Sequence, residues 1–268
     1  MVKSISSLQN PLIKKILLLQ EKSRLRREEN LFVIDGWKET QLAIENGFEV
    51  DTVLCQHSIA HSLQFSDIRD TIDHQPSTIN YIEVTDEVFD KISYRGNTSK
   101  VVALAKPKSN TLSDLKLSEN PLVVVLDGIE KPGNVGAILR TADATGVDAV
   151  ICCDTHSDIY NPNTIRSSVG CVFTKQIAIS SKEECMAFLK ENKIAVYTTS
   201  LKAAKNYLEG DYKKPSAFVF GTEADGVNIF WEEHSAANII IPMRGQNDSL
   251  NVSNAAAIIL FEALRQRN

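Results

Sequence analysis

Residues able to do chemistry concentrate near the end of the chain. Ser249, Asn251, Ser253 and Asn254 crowd a polar loop and the turn after it, between an apolar run ending at Ile241-Pro242 and an alanine-rich segment. Serine and asparagine side chains accept bonds from the free N–H groups at a helix start, so capping accounts for one of them. The surplus points to a small-molecule site built from backbone and neutral side chains. A second candidate is FVFGTEADGV, residues 218–227, where a buried strand runs into Gly221, Glu223 and Asp225. Glycine lets a backbone approach closely, and two carboxylates at a strand end suit acid–base work or a metal. Asp225-Gly226 also has the composition of a plain turn, the favoured reading of that pair. The third is LDGIEKPGNVGAILRTADATG, residues 126–146. Asn134 is placed to start a helix, Arg140 falls nearly two turns in, and Gly146 ends it. An arginine on a helix is usually solvated or salt-bridged. Arg140, however, sits among Ile138, Leu139, Ala142 and Ala144, a small and apolar setting that makes it a functional candidate. The stretch has neither the GxGxxG spacing of dinucleotide sites nor the Gly-Lys-Ser/Thr of a P-loop. His57 and His61 would share a helix face as metal ligands, but no third ligand is evident nearby, so no metal site is expected.

Each of the three stretches needs a strand to deliver it. Short apolar runs at 122–126, 148–152, 175–179, 194–199, 217–220 and 238–241 read as strands, with helices expected at 136–145, 182–192 and near 229–234. Strands alternating with helices imply an α/β fold with a parallel sheet covered on both faces. Ligands of such sheets bind at the carboxyl ends of strands, where all three stretches lie. Residues 1–105 read as a smaller α/β domain: helices at 11–25, 37–46 and 86–92, strands at 31–36, 50–55, 79–84 and 100–107. Residues 106–120 are polar and turn-rich and read as a linker before a second domain at 121–268.

The 268 residues, 43% hydrophobic and 24% charged, have the composition of a soluble globular protein. No run approaches the ~20 apolar residues that span a membrane, and the first residues lack a signal peptide's apolar region. Five cysteines without a CxxC pair read as reduced thiols of a cytoplasmic protein. The net charge of −5 excludes a protein coated in positive charge. Residues 1–30 nevertheless hold seven basic side chains against three acidic ones. Lys14, Lys15, Arg24 and Arg26 there are either a solvated helix face or a phosphate-contacting patch, because local charge governs nucleic-acid docking. Arg95, Gly96 and Asn97 form a polar loop that turns the chain or touches RNA backbone.

Taken in order, N-x-G-A-I-x-R-T-A-x-A-x-G, F-G-x-E-x-x-G and I-P-M-x-G-x-x-x-S-L-N-V-S-x-A-A-A resemble the SpoU (TrmH-like) family of RNA ribose 2′-O-methyltransferases, in the SPOUT superfamily. The first region, through its layout and the LFVIDGWKE stretch, resembles that family's L30e-like substrate-binding domain. The resemblance implies a deep trefoil knot near the end of the chain. It implies an S-adenosyl-L-methionine site lined by Thr199, Ser200, Gly221, Ile241, Met243 and Leu250, and a homodimer in which the partner completes each site. It makes Arg140 the residue that activates the hydroxyl, with Asn134, Glu223, Ser249 and Asn251 orienting it and the RNA, and no metal. A guanidinium keeps its proton above pH ~12, so Arg140 is expected to stabilise an alkoxide or pin a phosphate rather than act as a base. Gln246-Asn247-Asp248 and Asn254 depart from the common pattern beside the motif. The two-domain layout resembles ribosomal RNA enzymes more than the minimal transfer RNA enzymes. Two other readings stand beside it, an RNA-binding module without catalysis and a Rossmann-type methyltransferase or dehydrogenase. The intact polar set argues against the first, and the missing Gly-rich loop against the second.

Overall fold

The computed structural model describes residues 3–57, 79–94, 99–155, 158–203 and 205–268. Along the chain run β1 (Lys3–Ile5), α1 (Pro11–Glu21), α2 (Ser23–Glu29), β2 (Phe32–Asp35), α3 (Trp37–Glu45), β3 (Val50–Gln56), β4 (Asn80–Val84), α4 (Asp86–Ile92) and β5 (Val101–Ala105). Then come β6 (Leu122–Asp127), α5 (Pro132–Ala144), β7 (Ala149–Cys153), α6 (Pro162–Ser167), α7 (Cys171–Thr174), β8 (Gln176–Ser180) and α8 (Lys182–Glu191). The last part holds β9 (Ala195–Thr199), β10 (Lys205–Asn206), β11 (Ser216–Phe220), α9 (Ile229–His234), β12 (Ala237–Ile240) and α10 (Val252–Arg267). Two compact units result: Met1–Lys108 with Tyr160–Thr174, and Ser109–Ile159 with Lys175–Asn268.

In the first unit the sheet order is β1-β4-β3-β5-β2. β1, β4 and β3 run parallel, while β5 is antiparallel to both β3 and β2. The apolar positions of α1 (Ile13, Ile16, Leu19) pack with Val88, Phe89 and Ile92 of α4 against Leu54, Val102 and Leu104 of the sheet. The expected single helix over 11–25 is two. α1 ends at Glu21, Lys22 is extended, and α2 follows.

The second unit has the order β10-β12-β9-β11-β6-β7-β8, with every pair parallel. Its strands are apolar runs because both faces are covered; β6, β7 and β11 are buried at every residue. β12 is laid between β9 and β10, which follow one another in the chain. The far end of α10 is tied down by Arg267, whose guanidinium donates to the carbonyls of Tyr212 (2.8 Å), Asn120 (2.8 Å), Pro121 (3.2 Å) and Lys214 (2.8 Å).

Two stretches depart from the sequence reading. The expected linker is not free. Lys106 pairs with Glu49 in the first unit at 2.5 Å, while Leu112, Leu115 and Leu117 pack on the core of the second. The backbone N–H groups of Lys116 and Ser118 donate to Gln176 Oε1 and Asp148 Oδ1 at 2.7 and 2.8 Å. Polar composition suggested a linker because only three of its fifteen residues are leucine, Leu112, Leu115 and Leu117, among polar neighbours. The other departure is Tyr160–Thr174, which lies within the expected second domain yet packs with the first unit. Tyr160 stacks on Phe32 with centroids 4.5 Å apart, and Phe173 meets Phe48 edge-on at 5.1 Å. Such an aromatic cluster buries large apolar surface and outweighs sequence neighbourhood.

Cys55, Cys152, Cys153 and Cys185 are free and buried. Burial pushes the Cys55 thiol up to about 11 and that of Cys152 up to about 12, so these two are inert at neutral pH.

Candidate active site

Three elements of the second unit bring the site together. α5 begins with Pro132 at its first turn, where a missing N–H costs nothing, and Asn134 follows. β11 delivers Gly221 and the loop that carries Glu223. α10 is capped by Asn251, whose Oδ1 accepts from the Ser253 N–H at 3.0 Å and from its hydroxyl at 2.6 Å. Capping leaves the Asn251 amide N–H₂ free to donate, and it does, to Glu223 Oε1 at 3.0 Å and Asn134 Oδ1 at 3.3 Å. Asn134 in turn donates to the same Glu223 oxygen at 2.5 Å, a contact across 89 residues of sequence. The other Glu223 oxygen, Oε2, is ion-paired with Lys131.

Beside this hub lies a cavity of about 640 Å³, within the ~300–1,000 Å³ typical of small-molecule sites. Thr199, Ser200, Gly221, Ile241, Met243 and Leu250 all line it, together with Glu223, Ser249 and Asn251. The wall at Gly221 is backbone against backbone. A Cβ there would lie 2.1 Å from the Gly226 carbonyl oxygen and 2.3 Å from the Val227 nitrogen, closer than any atoms pack. The loop is closed by paired bonds between Thr222 and Gly226, 2.8 and 3.1 Å, with Gly226 at φ 73°. Asp225-Gly226 is therefore a turn, although Asp225 also faces the cavity. The Thr199 hydroxyl donates to the Val219 carbonyl at 2.8 Å, and that of Ser200 to Glu232 at 2.5 Å. Carboxylates of Glu223, Asp225, Glu232 and Asp248 outnumber the ammonium groups of Lys131 and Lys202 around the cavity. That excess suits a cationic ligand.

Not every expected residue joins. Arg140 is exposed on α5, outside the cavity lining, with no hydrogen bond or ion pair to the described residues. In the first unit, Lys14 is exposed, Lys15 pairs with Glu29 at 2.6 Å, and Arg24 pairs with Glu28 at 2.7 Å. Arg26 corrects the sequence reading: it is 4% exposed, and its guanidinium donates to the Leu19 and Gln20 carbonyls at 2.5 and 3.2 Å. It closes the end of α1 and has no face for a phosphate. His57 lies 3.1 Å from Glu83; His61 and the Arg95-Gly96-Asn97 loop fall outside the described residues. Among the described residues no group of His, Cys, Asp and Glu is placed to hold a metal. Sequence reasoning passed over Lys131 and Glu232. The signal for Lys131 was a cation directly before the Pro-Gly-Asn of a helix start, where a positive charge is disfavoured unless paired.

Comparison with known proteins adds to this geometry. Residues 121–261 match the SpoU rRNA Methylase family and residues 10–103 the MRM3-like substrate binding domain. The chain is similar to the 23S rRNA (uridine(2479)-2'-O)-methyltransferase of Streptomyces viridochromogenes, 28% identical over 94% of this chain and 88% of that one. It is also similar to the 23S rRNA (guanosine(2553)-2'-O)-methyltransferase of Bacillus subtilis, 27% identical over 97% and 98%. Among solved structures, an AdoMet-bound rRNA methyltransferase from Sinorhizobium meliloti superposes with a TM-score of 0.89 at 30% identity, covering 98% of each chain.

Proposed function

Because the chain belongs to the SpoU rRNA Methylase family, we propose that it transfers a methyl group from S-adenosyl-L-methionine to a ribose 2′-hydroxyl of ribosomal RNA, within the 23S molecule. The observation that carries this reading is the hub itself. Asn134, Glu223 and Asn251, one from each of three separated motifs, are hydrogen-bonded to one another at the edge of one cavity. The cavity fits the cofactor: its size is right, its wall at Gly221 is held in shape by backbone packed on backbone, and its carboxylates favour a cation. When bound, the cofactor supplies the methyl group on a positively charged sulfur. The chain's own task is alignment, because displacement at a methyl carbon requires the attacking oxygen, carbon and leaving sulfur in line. The loops after β9, β11 and β12 hold the cofactor, largely through backbone groups, and Ser249 and Asn251 face the RNA. Glu223 fixes both asparagine side chains in place.

Arg140 keeps its proton, so it acts as a cation that stabilises the developing alkoxide or holds the adjacent phosphate. Its position outside its own chain's cavity supports a site completed by a second copy. Ile258 and Phe261, 36% and 51% exposed on one side of α10, support the same homodimer through the knotted unit. The first unit contacts the RNA, with exposed Lys14 and Arg24 and half-buried Lys15 as its phosphate contacts. A cytoplasmic location follows from the substrate. Among the described residues no helix is long and apolar enough to cross a membrane.

Mapping 2′-O-methyl groups in ribosomal RNA from cells with and without the protein tests the assignment. One site should vanish in its absence. Identical maps would overturn the ribosomal assignment, and a site lost from transfer RNA would redirect it.

A further inference from the structure

The geometry points to Lys131 as a positioning residue for methyl transfer, one that holds the Glu223 carboxylate in the orientation Asn134 and Asn251 require; this rests on the transfer reading above. Lys131 is the residue directly before α5 and Asn134 lies in that helix's first turn, three positions on, so both side chains project from the same rigid helix start. They grip opposite oxygens of one carboxylate: Asn134 donates to Oε1 at 2.5 Å while the Lys131 ammonium pairs with Oε2. Asn251 adds a third donor, again to Oε1, at 3.0 Å.

The second grip matters because the last torsion of a glutamate is broad and nearly two-fold. Two donors on Oε1 alone leave the carboxylate free to swing about them. Glu223 also sits on a loop, with its side chain 28% exposed, so packing does not lock it. A cation on Oε2 closes that freedom and ties the loop after β11 to the start of α5. The position argues the same way. A cation before a helix N-terminus meets the positive end of the macrodipole and is locally unfavourable; the pairing with Glu223 offsets this. Lys131 also lines the cavity, so the grip is made at the ligand's edge.

The test uses the full chain with a ribosomal RNA transcript that it methylates. Lys131→Met should lower kcat by about 10- to 100-fold through misalignment, with the thermal midpoint unchanged, and Lys131→Arg should restore most of the loss. In a Glu223→Gln background, Lys131→Met should cost nothing further. A Lys131→Met enzyme with normal kcat and raised RNA KM would overturn the proposal in favour of a plain phosphate contact. Losses that multiply with Glu223→Gln would overturn it too. Side-chain amide NMR gives a readout independent of turnover. The Asn134 and Asn251 amide resonances should broaden in Lys131→Met and remain sharp in Lys131→Arg, and unchanged resonances in the first would sink the positioning role. The same contrast between the two variants, in a protein whose wild type methylates no RNA, would count against the transfer reading and support the grip.

Discussion

Both units contain polar side chains that bond across the chain, but the two sets end differently. In the first unit the Asp35 carboxylate accepts from the Tyr94 N–H at 2.6 Å, the Ser93 hydroxyl at 3.2 Å and the Ser99 hydroxyl. Gln20 donates to the Ile92 carbonyl at 2.5 Å, and Arg26 to the end of α1. Each joins one piece of chain to another and is buried or nearly so. In the second unit Glu223, Asn134 and Asn251 bond just as closely but stand at the rim of a cavity. Sheet geometry accounts for much of the contrast. An all-parallel sheet puts every strand's carboxyl end on one edge, so the loops after β9, β11 and β12 meet. The antiparallel β5 in the first unit's sheet disperses its loops to both edges. A closed network holds a fold together, whereas one at an edge keeps a face for a ligand.

The arginines test that contrast most sharply. Arg140→Ala should lower methyl transfer by about 10²–10³-fold, the scale of losing one charge-stabilising donor. Its unfolding free energy should stay within about 0.5 kcal/mol of wild type, as for an exposed side chain without partners among the described residues. Arg140→Lys with near-full turnover would rule out any need for the guanidinium fork. Arg26→Ala should do the reverse: chemical denaturation should show a loss of about 2–3 kcal/mol from unsatisfied buried carbonyls. Calorimetric cofactor affinity should be unchanged, and a loss of binding there would break the separation of roles. Gly221→Ala touches both functions within the second unit. Displacing backbone from its Cβ should cost about 1–3 kcal/mol and weaken cofactor binding in the same titration.

Smaller effects follow at the surface. Charge reversal at Lys14, Lys15 and Arg24 should weaken RNA binding while leaving cofactor binding alone. The slope of log affinity against log salt should become shallower by about 0.7–0.9 for each phosphate that is no longer neutralised. Unchanged RNA affinity would return that face to a solvated helix. The smallest effect concerns Glu262 on α10, whose carboxyl the Arg265 guanidinium holds down at about 2 from an ordinary 4.5. A depressed carboxyl stabilises the fold above its unfolded value, so this contribution is present above about pH 4.5 and fades as pH falls toward 2. Glu262→Gln should remove that slope, a difference on the order of 1 kcal/mol for a pair whose arginine is largely exposed. Denaturation curves of the two proteins at pH 3 and pH 7 would show it.

Much of this molecule was legible because the relevant signals are local. Asp86–Ile92 and Ile229–His234 are helices over the residues their patterns implied, and the alternation of buried runs with helices implied the parallel sheet. What was misread depends on interactions between distant residues. Arg26 carries the same charge as Arg24 and sits two residues away, yet one is buried and the other 86% exposed at its side chain. No local pattern separates them, because what distinguishes them is the break at Lys22 that turns α2 back on α1's open carbonyls.

The sequence by itself determined the family, the chemistry and the three motifs that carry it, because side-chain type and helix or strand period are written residue by residue. Tertiary structure alone decided that Asn251 both caps α10 and holds Glu223, that Lys131 grips the other oxygen, and that Tyr160–Thr174 packs with the first unit. Each depends on which surfaces meet after the chain has folded. A hydrogen bond across 89 residues is set by the register of a whole sheet, not by the types of the two residues that make it.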